Sequence, residues 1–241
     1  MWTEYVSAEN FDSRVWPRTA AIAERLWSAQ DVQNPDEMYS RMETMSWRLE
    51  RMGLTHRTGL NAMLRRMTGS EDVSALGVLA DAVEPVKNYT REHLAQSAGK
   101  ILTSDLPLNR LVDAVAPESE VARRFSKSVD DLIAEHFWDP ASEAQIRSLL
   151  MQWRDNDSRL QTSIQKSFLL KEITPLSQQL SALGTAGLQA LDYLDKGEHP
   201  PDEWKAQQRA LIEQTKTPAA DLLLVAAPAV QKLIEASANG S

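Results

Sequence analysis

Cysteine is absent from the 241 residues, which excludes disulfides and every metal site built on thiolates. Histidine is scarce. His56, His93, His136 and His199 are scattered, and none has a second histidine at a helical spacing, so no metal site is expected. Long apolar runs are missing as well. The longest, Leu222–Ala227, is flanked by Asp221 and Pro228 and is far too short to span a bilayer. Glu4 and Glu9 occupy positions where a secretion signal needs a basic start and an apolar run, so no signal peptide is expected and the chain should be soluble. That says nothing of where a longer parent would go. The net charge of −8 argues against a general affinity for nucleic acid, which needs a basic surface to displace counterions.

What is present suffices for a sizeable core: 42% of residues are hydrophobic and 25% charged, at a length compatible with one or two domains. The composition changes near residue 67. All nine basic residues up to that point are Arg, and lysine first appears at Lys87. Seven of the eight Met and four of the seven Trp also fall in residues 1–67. Nine acids balance the nine Arg there, so the net charge belongs to residues 68–241. A boundary is expected at Thr68-Gly69-Ser70, separating a region 1–67 from a region 68–241.

Helical signals dominate. Pro17 marks a helix start, after which Trp16, Ala20, Ala23 and Trp27 share one face, a pattern read as core. Asn34-Pro35-Asp36-Glu37 is a second start, followed by the stripe Met38, Met42, Met45, Leu49 and Met52 and a stop at Gly53. A short helix is expected over about Leu60–Met67. In the second region helices are expected over Glu71–Val83 and over Pro117–Phe137, the latter with Val121, Phe125, Val129, Leu132 and Ile133 inward. A long one begins at Asp139-Pro140 and carries Ile146, Leu149, Leu150, Trp153, Leu160, Ile164 and Phe168 inward. Others end at Lys196-Gly197, follow Pro200-Pro201 and begin at Thr217-Pro218. Only residues 1–6 look strand-like.

One segment carries more than periodicity. It contains Trp2-Thr3-Glu4, then Arg14-Val15-Trp16-Pro17-Arg18, then Ala23-Glu24-Arg25-Leu26-Trp27. In order and spacing, residues 1–28 resemble the last part of the catalytic barrel of family 20 glycoside hydrolases, the β-N-acetylhexosaminidases. Residues 29–67 are similar, less specifically, to the helical segment that follows the barrel. The fold class implied is mainly α: the last strand and helix of a (β/α)8 barrel, followed by an all-helical C-terminal region.

The resemblance implies part of a retaining exo-β-N-acetylhexosaminidase. The substrate would be a terminal N-acetylglucosamine or N-acetylgalactosamine, cleaved without cofactor or metal. On a strand Trp2 and Glu4 point to the same side, at the barrel end where active-site residues gather. Trp2 would wall the sugar pocket with its indole, and Glu4 would accept hydrogen bonds from the sugar's outer hydroxyls. The family's catalytic Asp-Glu pair, in which Asp orients the substrate's acetamido group as nucleophile, lies upstream of the matched segment. This chain therefore holds no catalytic residue of that scheme and needs the missing N-terminal barrel portion as its partner. Arg14, Arg18, Glu24 and Arg25 are read as structural ion-pair formers rather than sugar ligands.

Other acidic groupings fare worse. Asp130-Asp131 and Glu135-His136 are neighbours on a helix and diverge by about 100°. Asp155-Asn156-Asp157 continues into Ser158-Arg159-Leu160, which breaks the calcium-loop pattern. Asn88-Tyr89-Thr90 fits a glycosylation sequon, a short pattern that recurs by chance. The Met stripe is read as a helix face covering the underside of the barrel, rather than as an adaptable binding groove. An alternative to the enzyme reading is a non-catalytic helical binding or structural module formed by residues 68–241.

Overall fold

The computed structural model describes residues 5–101, 103, 105–134 and 140–239. Four helices come first: α1 (Phe11–Val15), α2 (Arg18–Trp27), α3 (Pro35–Arg51) and α4 (Gly59–Thr68). Then follow α5 (Ser74–Ala80), strand β1 (Val83–Pro85), α6 (Thr90–Ser97), α7 (Leu111–Ala114) and α8 (Glu120–Ala134). The long helix α9 (Pro140–Lys166) passes through a 3-10 turn, Phe168–Ile173, into α10 (Thr174–Lys196). The chain closes with α11 (Asp202–Thr215), strand β2 (Leu222–Leu224) and α12 (Ala227–Asn239).

Local chemistry explains most of these boundaries. Asn34 Oδ1 accepts the amides of Asp36 at 3.0 Å and Glu37 at 3.4 Å, so the N-cap expected of α3 is made. Gly53, with φ 97°, turns the chain out of that helix, and Gly197, with φ 62°, ends α10. The Ser119 hydroxyl caps α8 by accepting the Ala122 amide at 2.9 Å.

The expectations fail in five places. The helix expected over Glu71–Val83 stops at Ala80, because Val83–Pro85 pairs antiparallel with Leu222–Leu224 in the register Val83↔Leu224. The helix expected at Thr217-Pro218 is instead a turn into β2. Ala220 (φ 52°) and Asp221 (φ 63°) hold the left-handed conformations that the reversal requires. Two strands thus lie beyond the segment 1–6, whose residues 1–4 are outside the described residues, and Pro85 is tolerated because a two-stranded ribbon has only edges. Phe168 falls past the end of α9 and is 84% exposed, since the 3-10 turn breaks the helical period. Ile133 also lies outside the core, on the solvent side of α8.

One hydrophobic core runs from Met63 to Ile234. Its centre is α10 packed along α9 and against α12, with Trp153 meeting Phe125 edge-on at 4.7 Å between ring centroids. Gly184 of α10 lets the two long helices touch: a Cβ there would lie 2.5 Å from Arg154 N and Leu150 O. α4 belongs to this core through Met63, Leu64 and Met67. No described residue before α4 is in it.

Candidate functional site

Trp2 and Glu4, the residues the sequence nominates for a sugar pocket, lie outside the described residues. The structure does show how the chain immediately after them is held. The loop containing α7 is gripped from the N-terminal side by two side chains of residues 10–14. Asn10 Nδ2 donates to Asp113 O at 2.9 Å and to Tyr5 O at 3.2 Å. Arg14 is buried and donates to Val115 O (2.9 Å), Asp113 O (2.9 Å) and Val112 O (3.2 Å). Burial pushes the Arg14 pKa down, and the Asp113 carboxylate opposes that. Three carbonyls in a fixed arc suit the guanidinium's planar fork and take three of its five donors, which commits Arg14 to holding this loop.

Below this grip lies an alternating charge cluster. Asp113 has no exposed side-chain surface. It accepts the Arg110 amide at 3.0 Å and ion-pairs with Arg91 at 2.8 Å. Arg91 also reaches Asp221 at 3.5 Å and lays its guanidinium 3.8 Å from the Tyr5 ring centroid. Arg110 continues the chain to Asp221 at 2.5 Å and to Glu172 at 2.8 Å. Burial alone would lower the Arg110 pKa, but the Glu172 and Asp221 carboxylates outweigh it and raise it. Sequence reasoning missed this cluster. Its members are scattered from Tyr5 to Asp221, and no local pattern joins them.

The remaining nominated charges are structural. Arg18 Nη2 contacts both Glu118 oxygens at 2.6 and 2.5 Å. Glu24 takes a two-point bond from Arg41 at 2.6 and 3.2 Å, which lowers its pKa. Arg25 donates to Val32 O at 2.8 Å and Gln30 O at 3.3 Å, closing the turn after α2. Glu9–Arg66 and Asp12–Thr55 add further polar ties. The leading segment is therefore docked by ion pairs and hydrogen bonds, while Phe11, Ile22, Leu26 and Trp27 stay exposed.

That last point corrects the reading of α2 as core. Trp27 is 90% exposed and Leu26 77%, and α2 has no buried residue. Ile22, Met45, Trp47 and Met52 are exposed alongside them, and of the stripe on α3 only Leu49 is buried. The helical period is right, but the face is covered only at its start: Trp16 and Ala20 are partly buried, whereas Ala23 and Trp27 are exposed. Ile22, Leu26 and Trp27 of α2 and Met45 of α3, with Met52 at its end, thus leave apolar surface in solvent.

The discarded acidic groupings behave as bland surface or structural residues. Asp130 pairs with Lys232 at 2.5 Å and Asp131 with Lys127 at 3.2 Å. Asp155, Asn156 and Asp157 sit inside α9 rather than in a loop. Asn156 donates to Ala75 O at 3.0 Å and Asp157 accepts from Ser177 at 2.6 Å. Glu135 and His136 lie outside the described residues. Asn88 of the sequon stands in an exposed turn with φ 56°. A cleft of ≈ 540 Å³ between α3 and α8 is lined by Asp36, Tyr39, Arg123 and Lys127 among others. Its charges answer one another: Lys127 reaches Asp36 at 3.4 Å, and Arg123 stacks 3.6 Å from the Tyr39 ring centroid.

Comparison with known proteins points one way. Residues 1–30 match the family model of glycosyl hydrolase family 20, catalytic domain. The human β-hexosaminidase subunit β is 43% identical over 54 residues, which cover 22% of this chain and 10% of that protein. β-Hexosaminidase subunit A1 of Dictyostelium discoideum is 44% identical over 54 residues, with the same coverage. The crystal structure of a chitobiase from Flavobacterium johnsoniae superposes with a TM-score of 0.83 at 32% identity. That match covers 97% of this chain and 34% of the chitobiase. The similarity thus spans about a tenth of the curated relatives and about a third of the solved one. With family 20 catalytic-domain sequence at its start and the chitobiase likeness running through nearly all the rest, the chain is similar to part of the glycoside hydrolase family 20 proteins.

Proposed function

We propose that this chain is one part of a retaining exo-β-N-acetylhexosaminidase that releases terminal N-acetylglucosamine or N-acetylgalactosamine by substrate-assisted catalysis. The substrate's acetamido group attacks the anomeric carbon, oriented by an Asp, while the adjacent Glu protonates the leaving oxygen. Both belong to the barrel portion that precedes the segment matched here. Residues 1–28 form the last strand and helix of that barrel. Trp2 walls the sugar pocket and Glu4 accepts hydrogen bonds from the outer hydroxyls.

The observation that carries this reading is the ordered motif series in residues 1–28, together with the catalytic-domain match over residues 1–30. The apolar face of α2 and α3 supports it, because a barrel helix should have a sheet against that side. The test is kinetic. In the complete enzyme, Trp2→Ala and Glu4→Gln should each lower kcat/KM by about tenfold to a thousandfold, the loss of one good substrate contact. Wild-type kinetics in both variants remove the site assignment. The 241-residue chain alone should hydrolyse no N-acetylglucosaminide; turnover by it would place catalytic groups among residues that the reading leaves inert.

A second reading, a helical binding or structural module over residues 68–241, rests on one observation: the core is closed largely by residues of this region. Its expectation is that the region folds without a barrel.

A further inference from the structure

We propose that Trp47, Arg48, Arg51 and Arg57, at the end of α3 and in the loop after it, form a binding face for a glycan strand that carries carboxylates. The choice of a glycan rests on the hexosaminidase reading given above. The anionic character of the ligand rests on these side chains alone.

Most arginines of residues 1–67 already hold an oxygen. Arg18 pairs with Glu118, Arg41 with Glu24, Arg65 with Glu71 and Arg66 with Glu9, while Arg14 and Arg25 hold backbone carbonyls. The others, Arg48, Arg51 and Arg57, are all exposed and have no carboxylate or carbonyl partner among the described residues. The acids of neighbouring turns are engaged elsewhere. Glu43 reaches Arg124 at 3.3 Å, Glu37 reaches Arg41 at 3.5 Å, and Asp12 accepts the Thr55 amide at 2.7 Å. Glu50 is half-buried, with one carboxylate oxygen shut away from water.

These cations share one side of the helix with an indole. Trp47 and Arg51 are four residues apart on α3, and Arg48 and Arg51 three, so they are surface neighbours. Arg57 returns from the loop and lays its guanidinium 4.0 Å from the Trp47 ring centroid. At about 100° per residue, Trp47 and Arg51 fall roughly opposite Met42, Met45 and Leu49, so this side stands clear of the apolar stripe. Trp47 is still 53% exposed with Arg57 on it, which leaves part of the ring open to a ligand. An indole offers a pyranose ring a flat apolar wall, and guanidinium forks match carboxylates two bonds at a time. A short strand fits better than nucleic acid. The net charge of −8 lies beyond residue 67 and would repel a long polyanion, whereas a few sugars stay within the cationic face.

The experiment is calorimetric titration of the 241-residue chain with a hexasaccharide alternating glucuronic acid and N-acetylglucosamine. A neutral N-acetylglucosamine hexamer and a short DNA duplex serve as comparisons. The acidic hexasaccharide should bind at least about tenfold more tightly than either. Raising the salt from about 0.05 M to about 0.2 M should weaken it about tenfold. Arg48→Gln combined with Arg51→Gln should weaken it about tenfold or more, as should Trp47→Ala, while the Lys pair at 48 and 51 should recover part of the loss. All these side chains are exposed, so the melting temperature should stay at the wild-type value and weakened binding is not unfolding. No binding of the acidic hexasaccharide overturns the face, and wild-type affinity in the double Gln variant overturns its location. Equal affinity for the neutral hexamer overturns the charge argument, and equal or tighter binding of the duplex overturns the choice of a glycan. If the complete enzyme cleaves an N-acetylglucosaminide and the chain binds no acidic glycan, this face alone falls. If the chain binds it and the complete enzyme cleaves nothing, the hexosaminidase reading falls and the face stands.

Discussion

At the scale of single residues, the chain uses charged groups as fasteners. Arg14 on three carbonyls and Arg91 between two carboxylates do what hydrophobic contacts do in the rest of the molecule. His56 is a titratable fastener. Its Nε2 lies 2.6 Å from the Ser46 hydroxyl, joining the end of α3 to the loop before α4. Burial lowers its pKa below the ordinary 6.5, opposed by Glu50 and Asp12 and assisted by Arg57. Since the folded value is the lower one, the unfolded chain takes up the proton first. The stability due to neutral His56 is therefore complete above about pH 6.5 and is lost as the pH falls toward the folded value. Thermal melting should show the midpoint dropping between about pH 7 and pH 5, with a flatter dependence in His56→Gln. An equally steep dependence in the variant would assign the effect to other groups.

At the scale of elements, the long helices are written most plainly. α9 and α10 place their apolar residues on the period, and Gly197 stops α10 as its sequence implies. What the period does not show is how closely two helices approach. Gly184 sits where a Cβ would press on the α9 backbone at 2.5 Å, and a backbone contact cannot swing aside. Gly184→Ala should cost about 1–3 kcal/mol by forcing the helices apart, outweighing the gain in helix propensity of up to about 1 kcal/mol. Denaturant titration measures this directly, and a neutral or stabilised variant would show that α9 and α10 can separate freely. The short ribbon of β1 and β2 was invisible for the opposite reason. Val83–Pro85 has no alternation long enough to register, and its partner lies far down the chain at Leu222–Leu224.

At the scale of the whole molecule, a closed core coexists with an uncovered front. Met63, Leu64 and Met67 of α4 lie in the core, whereas Leu26 and Trp27 of α2 face solvent. Residues 59–241 should therefore melt cooperatively without the leading helices. Residues 68–241 should be markedly less stable, since removing buried Leu or Met side chains costs about 2–5 kcal/mol each. Equal melting of the two would mean that α4 merely leans on the core. The uncovered front predicts self-association of the 241-residue chain, reduced by Leu26→Ser with Trp27→Ser. Size-exclusion chromatography checks this, and a clean monomer at high concentration would show that the apolar face is tolerated in water.

The sequence by itself determined the helical character, the caps at Asn34, Gly53 and Gly197, and the motif series from Trp2 to Trp27 that signals the family. These are local: they depend on residues within a few positions of one another, where spacing and side-chain chemistry act directly. Only the tertiary structure decided that Arg91, Asp113 and Asp221 meet beneath Tyr5, that Val83–Pro85 is a strand, and that Leu26 and Trp27 of α2 are left exposed. Each of these depends on what another part of the chain places alongside. A helical period states that a face is apolar; whether anything covers it is settled by packing.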